Sequence, residues 1–142
     1  MDLKVELPAS LLSQLEGEAV KAAPNEACAL LLGDRAGQDL RVEAIAISHN
    51  VSTADPRTTF EIDPALYIRL QKAARAGGPQ VIGVWHSHPG GTPEPSDTDK
   101  AQSVEAGWLC VITAVNQGRA ESASFLADDH DPHTMRPVRS SP

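Results

Sequence analysis

Residues 81–85 place the strongest constraint on the fold, because five uncharged and largely apolar residues run directly into His86-Ser87-His88-Pro89. An apolar run of this length that follows a Gly/Pro segment is typical of a strand buried within a sheet. Side chains two residues apart on a strand point to the same face. The sequence therefore predicts a buried strand whose carboxyl end brings His86 and His88 towards one point.

The segments around this strand alternate between helical and extended patterns. Apolar residues at helical spacing, together with Asp63-Pro64 as a helix start, predict helices over 8–23, 64–76 and 96–106. Apolar runs predict further strands over 3–7, 26–32, 40–48, 59–62, 108–115 and 120–126, with turns over 34–38 and 116–118. This order predicts an α/β fold of the mixed α+β kind, in which helices flank a central mixed sheet.

The length of 142 residues fits a single domain. The regular pattern of elements ends near residue 127, so we expect one domain over 1–127. Residues 128–142 are polar and contain proline. They predict a C-terminal tail that is either disordered or adds a last edge strand over 135–138.

Composition argues against several classes of function. The formal net charge is −7 and there is no basic stripe, so a nucleic-acid partner is not expected. No apolar run approaches the roughly 20 residues of a membrane span, and the first residues lack the apolar core of a signal peptide. We therefore expect a cytoplasmic protein that binds no membrane.

Cys28 and Cys110 lie inside apolar runs, which favours two buried thiols over a disulfide or a metal role.

His86, His88 and Asp99 form a candidate metal site. Two imidazoles and one carboxylate are a common ligand set for zinc, and three protein ligands leave a fourth position for water. Other interpretations stay open from the residues alone. Histidines at a strand end are often structural, and Ser96 is a typical helix N-cap with Asp99 at the third helical position. Glu26 by itself is typical of a solvated residue at a strand start.

Taken together, these residues resemble the motif of the JAMM (MPN+, JAB) metalloprotease family. The motif comprises a glutamate before an apolar strand, a His-x-His-Pro segment, a serine and an aspartate, here Glu26, His86, His88, Ser96 and Asp99. Segments 60–64 and 81–84 are also similar to the small prokaryotic members, and the resemblance covers about residues 1–126. The implied fold is a single JAMM/MPN-like domain, which resembles the cytidine-deaminase-like architecture.

The resemblance implies a role for each motif residue. His86, His88 and Asp99 would bind one zinc ion per chain. Glu26 would hydrogen-bond the metal-bound water and act as general base, then as general acid to the leaving amine. Ser96 would donate a hydrogen bond to the oxyanion that develops on the scissile carbonyl. These roles agree with the general chemistry of zinc hydrolysis.

The shortness of the chain makes it similar to the compact bacterial and archaeal members of that family. Those members are associated with ubiquitin-like proteins, including sulfur carriers that end in Gly-Gly. The resemblance thus implies a zinc peptidase or isopeptidase that cleaves after the C-terminal Gly-Gly of such a protein partner. A groove along a strand edge suits an extended glycine tail, because only glycine lets two backbones approach so closely.

Two other functions remain open. One is a non-catalytic MPN-type interaction scaffold, although the intact motif argues against it. The other is a metal enzyme of another class, since two histidines and a carboxylate also hold non-haem iron in oxygenases. Ser96 and Glu26 have no role in that chemistry. The signatures of nucleobase deaminases and of the helical His-Glu-x-x-His zincins are absent from the sequence.

Overall fold

One twisted sheet organises the part of the chain described here, residues 3–103 and 105–142 of a computed structural model. The helices are α1 (Ala9–Ala22), α2 (Pro64–Arg75) and α3 (Asp97–Gln102). The strands are β1 (Val5–Glu6), β2 (Cys28–Ala36), β3 (Asp39–Ser48), β4 (Gln80–Pro89), β5 (Leu109–Asn116), β6 (Arg119–Ala127), β7 (Met135–Val138) and β8 (Ser140–Ser141). The predicted mixed sheet with few helices is therefore observed.

Strand β4 occupies the centre of the sheet, whose strand order is β7-β6-β5-β4-β2-β3-β1-β8. It pairs antiparallel with β2 and parallel with β5, so both of its edges are covered. Gly83 permits the close approach of β5, because a Cβ atom at that position would lie 2.2 Å from the carbonyl oxygen of Leu109. Sheet neighbours thus flank the apolar run at 81–85 on both sides, and Ile82, Gly83 and Trp85 within it are buried.

The C-terminal tail joins the two edges of this sheet. Strand β7 extends the β6 edge, whereas β8 pairs with β1 at the opposite end of the strand order. Only Arg139 separates β7 from β8, so the sheet must curl until its edges meet. Ser124 Oγ lies 3.5 Å from Ser140 Oγ across this junction. Of the two alternatives for 128–142, the edge strand is the one that forms.

Helix α1 packs on one face of the sheet, against β4, β5 and β6. Leu15 and Ala19 on its inner face are buried, and they share a core cluster with Trp85 and Val111 of the central strands. Fully burying a side chain such as that of Leu15 stabilises the fold by roughly 1.5–3 kcal/mol. Among the described residues, no helix is long and apolar enough to span a bilayer.

The other face of the sheet carries the smaller helices and a second apolar cluster. Helix α2 starts at Pro64, where Asp63 caps it by accepting a hydrogen bond from the Ala65 amide at 3.0 Å. Cys110 belongs to the cluster on this face, and both Cys28 and Cys110 are buried and free. The prediction of two buried thiols is confirmed.

Three local predictions were wrong. The turn expected over 34–38 is confined to residues 37–38, because the polar end of β2 keeps pairing with the start of β3. The strand expected over 59–62 is reduced to a single bridge between Asn50 and Ile62. Helix α3 ends at Gln102 instead of continuing to 106, since Ser103 already has extended backbone angles. Residue 104 of that predicted helix lies outside the described residues.

Candidate metal centre

Strand β4 places two imidazole rings on one face of the sheet. His86 and His88 are two residues apart, and their Nε2 atoms lie 3.2 Å from each other. The strand continues through both histidines because 83–89 pair in register with β5. Ser87 lies between them on the opposite face, where its buried Oγ accepts a hydrogen bond from the Ala27 amide at 2.8 Å. Regular sheet pairing therefore sets the direction of both rings.

The first turn of α3 supplies a carboxylate to the same point. Asp99 Oδ2 lies 3.1 Å from His86 Nε2 and 3.0 Å from His88 Nε2. Ser96 Oγ accepts a hydrogen bond from the Asp99 amide at 3.0 Å, and the Ser96 amide donates to Asp99 Oδ2 at 2.9 Å. This reciprocal capping box holds the carboxylate in place. Ser96 thus has the capping contact that its sequence context suggested, and the same contact orients Asp99 towards the two histidines.

The hydrogen bonds at His88 show that this group of atoms fits a cation. His88 Nδ1 lies 2.9 Å from the carbonyl oxygen of Thr92, which can only accept, so Nδ1 carries a proton. In the neutral form of this tautomer Nε2 carries the lone pair that binds a metal, and Nε2 donates a hydrogen bond to Asp99 Oδ2 only when the ring is protonated. A tetrahedral zinc site with bonds of about 2.0–2.1 Å would separate its ligand atoms by roughly 3.3 Å, close to the spacing observed here. The three residues are therefore a chemically suitable site for a metal ion.

Burial and mutual contacts shift the pKa of each ligand. Burial acts against the charged form of Asp99, but hydrogen bonds from His86 and His88 outweigh it and hold the pKa of this carboxyl well below its usual range. Burial lowers the pKa of His86. Burial also opposes protonation of His88, yet the hydrogen bonds to Asp99 and to the Thr92 carbonyl raise its pKa overall. An ionised carboxylate and a neutral His86 are the forms that bind metals.

Glu26 lies beside this group, immediately before Ala27, whose carbonyl accepts a hydrogen bond from the Ser87 amide of β4. Its side chain is buried, and within the described residues Oε1 has no hydrogen-bond partner. Burial raises the pKa of this carboxyl to about 7, while the nearby His88 lowers it and Asp99 raises it by smaller amounts. A carboxyl with such a pKa can accept or release a proton at neutral pH.

Two contacts of the site were not predicted from the sequence. The ring of Phe60 stacks on His86, with centroids 4.4 Å apart and planes 17° apart. The carbonyl of Thr92 orients His88. Phe60 is visible in the sequence as an aromatic residue, but no local pattern links it to His86, which is 26 positions away. Thr92 acts through its backbone, so its side chain carries no signal of this contact.

An apolar cavity of about 150 Å³ adjoins the metal-ligand group. His86 and Asp99 form one wall, and the other walls are Phe60, Val84, Gln102, Ser103, Glu105, Trp108, Cys110 and Met135. Met135 belongs to β7, so the C-terminal tail contributes to the surroundings of the site.

A protein of this fold with this ligand group belongs to a recognisable class. The family described as prokaryotic homologs of the JAB domain matches residues 8–126, which is most of the chain. The chain therefore belongs to the prokaryotic JAB domain family. This membership confirms the resemblance drawn from Glu26, His86, His88, Ser96 and Asp99.

The chain is similar to three relatives whose names state an activity. It is 31% identical over 122 residues to desampylase from Haloferax volcanii, a match that covers 84% of each chain. It is 30% identical over 99 residues to a CD-NTase/cGAS isopeptidase from Enterobacter hormaechei subsp. hoffmannii, covering 66% of this chain and 52% of the relative. It is also 30% identical over 93 residues to a probable TtuB-protein conjugate cleaving protease from Thermus thermophilus, covering 66% and 59%.

Solved structures support the same assignment of the fold. A solution structure of a protein from Desulfitobacterium hafniense superposes with a TM-score of 0.79 at 26% identity, covering 99% of this chain and 92% of the other. The crystal structure of a JAB1/MPN domain protein from Archaeoglobus fulgidus has a TM-score of 0.60 at 19% identity, covering 97% and 96%. The second likeness bears on the fold alone. The predicted JAMM/MPN-like architecture is thus confirmed.

Proposed function

We propose that this protein is a zinc-dependent peptidase or isopeptidase that releases a ubiquitin-like or sulfur-carrier protein by cleaving after its C-terminal Gly-Gly. The observation that supports it most strongly is the convergence of three ligand atoms within 3.0–3.2 Å of one another beside a buried carboxyl. Such a set leaves room for a fourth ligand, which is the composition of catalytic zinc sites.

In this proposal His86, His88 and Asp99 hold the zinc ion. When bound, zinc supplies a nucleophile at neutral pH by lowering the pKa of a coordinated water to about 7, and it polarises the scissile carbonyl. The contacts of Asp99 with the Ser96 amide and of His88 with the Thr92 carbonyl orient two of the three ligands. Such supporting contacts typically matter 10- to 100-fold for metal affinity or activity, by order of magnitude.

Glu26 handles the proton. Its carboxylate accepts a proton as the nucleophile forms, holds it on a buried oxygen, and then donates it to the leaving amine. A pKa of about 7 suits both steps, because the group can be charged before the first and neutral before the second. Burial of Oε1 supports this role, since no competing hydrogen bond from the described residues holds that oxygen.

Ser96 donates to the oxyanion. Its Oγ already accepts from the Asp99 amide, which leaves the hydroxyl hydrogen free to point elsewhere. The side chain is exposed at the start of α3, where substrate can reach it. A donor of this kind is worth about 10²–10³ in kcat.

The names of the relatives, together with the site, support the proposed substrate class. Two of them are named an isopeptidase and a conjugate cleaving protease, and a third is named a desampylase. The matched segment covers little more than half of two of these proteins, so the proposal concerns the activity of the shared domain. An extended Gly-Gly tail fits a site at the end of a strand, because glycine permits close backbone approach.

The proposed function is tested with a reporter attached to a Gly-Gly-ended sulfur carrier, once through a peptide bond and once through a lysine isopeptide bond. We expect zinc-loaded protein to cleave at least one of them, chelator-treated protein to cleave neither, and a Gly-Ala-ended carrier to resist cleavage. Absence of cleavage across several such carriers by the zinc-loaded protein would refute the substrate assignment.

A second experiment identifies the metal that anaerobically purified protein contains. Recovery of iron would favour an oxygenase-type site over a zinc site.

A further inference from the structure

The side-chain amide of Asn50 is fully hydrogen-bonded to the backbone around the site. Its Nδ2 donates to the carbonyl of Glu26 at 3.1 Å and to the carbonyl of Thr59 at 3.0 Å. Its Oδ1 accepts from the amides of Ser52 at 3.0 Å and Glu61 at 3.1 Å. An asparagine side chain offers two donor hydrogens and two acceptor lone pairs, so these four bonds satisfy it completely.

Glu26 depends on such contacts because it precedes the regular part of the sheet. Strand β2 starts at Cys28, and the backbone of Glu26 is held instead by residues of the 50–61 segment. Its amide donates to the carbonyl of Pro56 at 2.7 Å, and its carbonyl accepts from Asn50. Since Oε1 has no partner among the described residues, the backbone is what aims this carboxylate.

The same amide also binds the segment whose aromatic residue contacts His86. Asn50 binds the carbonyl of Thr59 and the amide of Glu61, which are the two residues flanking Phe60. The ring of Phe60 stacks on His86 at a centroid distance of 4.4 Å. One side chain therefore links the segment that carries Glu26 to the segment that packs on the metal-ligand group.

We propose that Asn50 is a positioning residue that holds the Glu26 backbone so that the Glu26 carboxylate faces the metal-ligand group. This inference rests on the proposed function, because it assigns the consequence of Asn50 to proton transfer by Glu26. Aspartate cannot substitute, since a carboxylate would set an oxygen without hydrogens against the carbonyls of Glu26 and Thr59. Misplacement of a reacting group by about 1 Å can cost 10²-fold in rate.

The test compares Asn50→Asp and Asn50→Ala with wild-type protein. Both variants are expected to lose about 10²-fold in kcat, with KM within about threefold and one metal ion still bound per chain. Asn25→Asp is the matched control, because it makes the same substitution at an exposed residue adjacent to Glu26. We expect its kcat to stay within about twofold of wild type. Metal-loaded, folded Asn50 variants with wild-type kcat would overturn the inference.

A double variant separates positioning from a general structural role. If Asn50 acts through Glu26, then Asn50→Asp lowers the residual rate of Glu26→Gln protein by less than about threefold. An undiminished 10²-fold loss in the Glu26→Gln background would show that Asn50 acts by another route and would overturn the inference.

Amide hydrogen exchange distinguishes failure of this inference from failure of the proposed function. If wild-type protein cleaves no substrate, the proposed function fails. The role of Asn50 is then tested by the rate of amide hydrogen exchange alone. Faster exchange of the Glu26 amide in Asn50→Asp, with exchange of buried β5 amides unchanged, supports positioning. Unchanged exchange at Glu26 contradicts it.

Discussion

The two halves of the candidate site are held by different kinds of contact. The half formed by His86, His88 and Asp99 lies within 14 consecutive residues, and its atoms are oriented by side-chain contacts such as the capping box. The other half is Glu26, which lies 60 residues before His86 in the chain. Its Oε1 atom has no hydrogen bond from the described residues. In the proposed mechanism, metal binding is thus organised locally, whereas proton transfer depends on long-range contacts to the backbone of Glu26. The two functions should therefore be separable by mutation.

The largest effect is expected from Asp99→Asn. It removes the charge that faces both histidines, so we expect loss of the metal, activity at background, and loss of stabilisation by zinc. Zinc at 100 times its Kd would stabilise wild-type protein by about 2.7 kcal/mol. Asp97→Asn, at an exposed position of the same helix, is the control and should retain the metal. Metal analysis and unfolding with and without zinc measure both, and full metal content in Asp99→Asn would contradict the assignment.

Glu26→Gln should abolish the proposed proton transfer without removing the metal. The amide cannot accept the proton, so kcat is expected to fall by about 10²–10⁴-fold while one metal ion per chain remains. Glu94→Gln alters an exposed carboxylate in the loop between the ligands and should have little effect. Steady-state kinetics and metal analysis of the same samples test this. Loss of the metal together with the activity would show that the two halves are not separable.

Substitutions of Ser96 sharpen the comparison, because this residue has a capping contact as well as the proposed donor role. Replacing an N-cap serine by alanine lowers the stability of the protein by about 1 kcal/mol, and replacing it by glycine lowers the stability by only a few tenths of a kcal/mol. Ser96→Ala and Ser96→Gly should both lose about 10²–10³ in kcat if the hydroxyl donates to the oxyanion, and Ser96→Thr should retain activity. A loss that follows the capping cost, larger for alanine than for glycine, would assign Ser96 to structure alone.

The last prediction concerns the stability of metal-free protein as a function of pH. Burial raises the pKa of Glu26 from 4.5 to about 7, so the folded state keeps a proton that the unfolded state releases. Wild-type protein should therefore lose stability relative to Glu26→Gln as the pH rises from about 4.5 to about 7. The difference approaches the order of 3 kcal/mol above that range. Denaturant unfolding at several pH values measures it, and a difference independent of pH would contradict the shifted pKa.

Much of the metal half could be predicted from the sequence because its signals are local. The spacing of His86 and His88 follows from the two-residue period of a strand, and Ser96 with Asp99 follows from helix capping. The apolar run before them indicated the central strand. By contrast, the strand expected over 59–62 did not form beyond one bridge, since its neighbourhood is arranged by Asn50 and not by a sheet ladder.

The sequence by itself determined the strand and helix that carry the ligands, because periodicity and capping act over a few residues. Only the tertiary structure decided that Glu26 is buried beside those ligands, that Phe60 stacks on His86, and that Asn50 joins the two segments. The physical reason is that burial and hydrogen bonding of these groups involve partners 9 to 26 positions apart in the chain, or farther. The curled sheet brings those partners together, and no short sequence pattern encodes that approach.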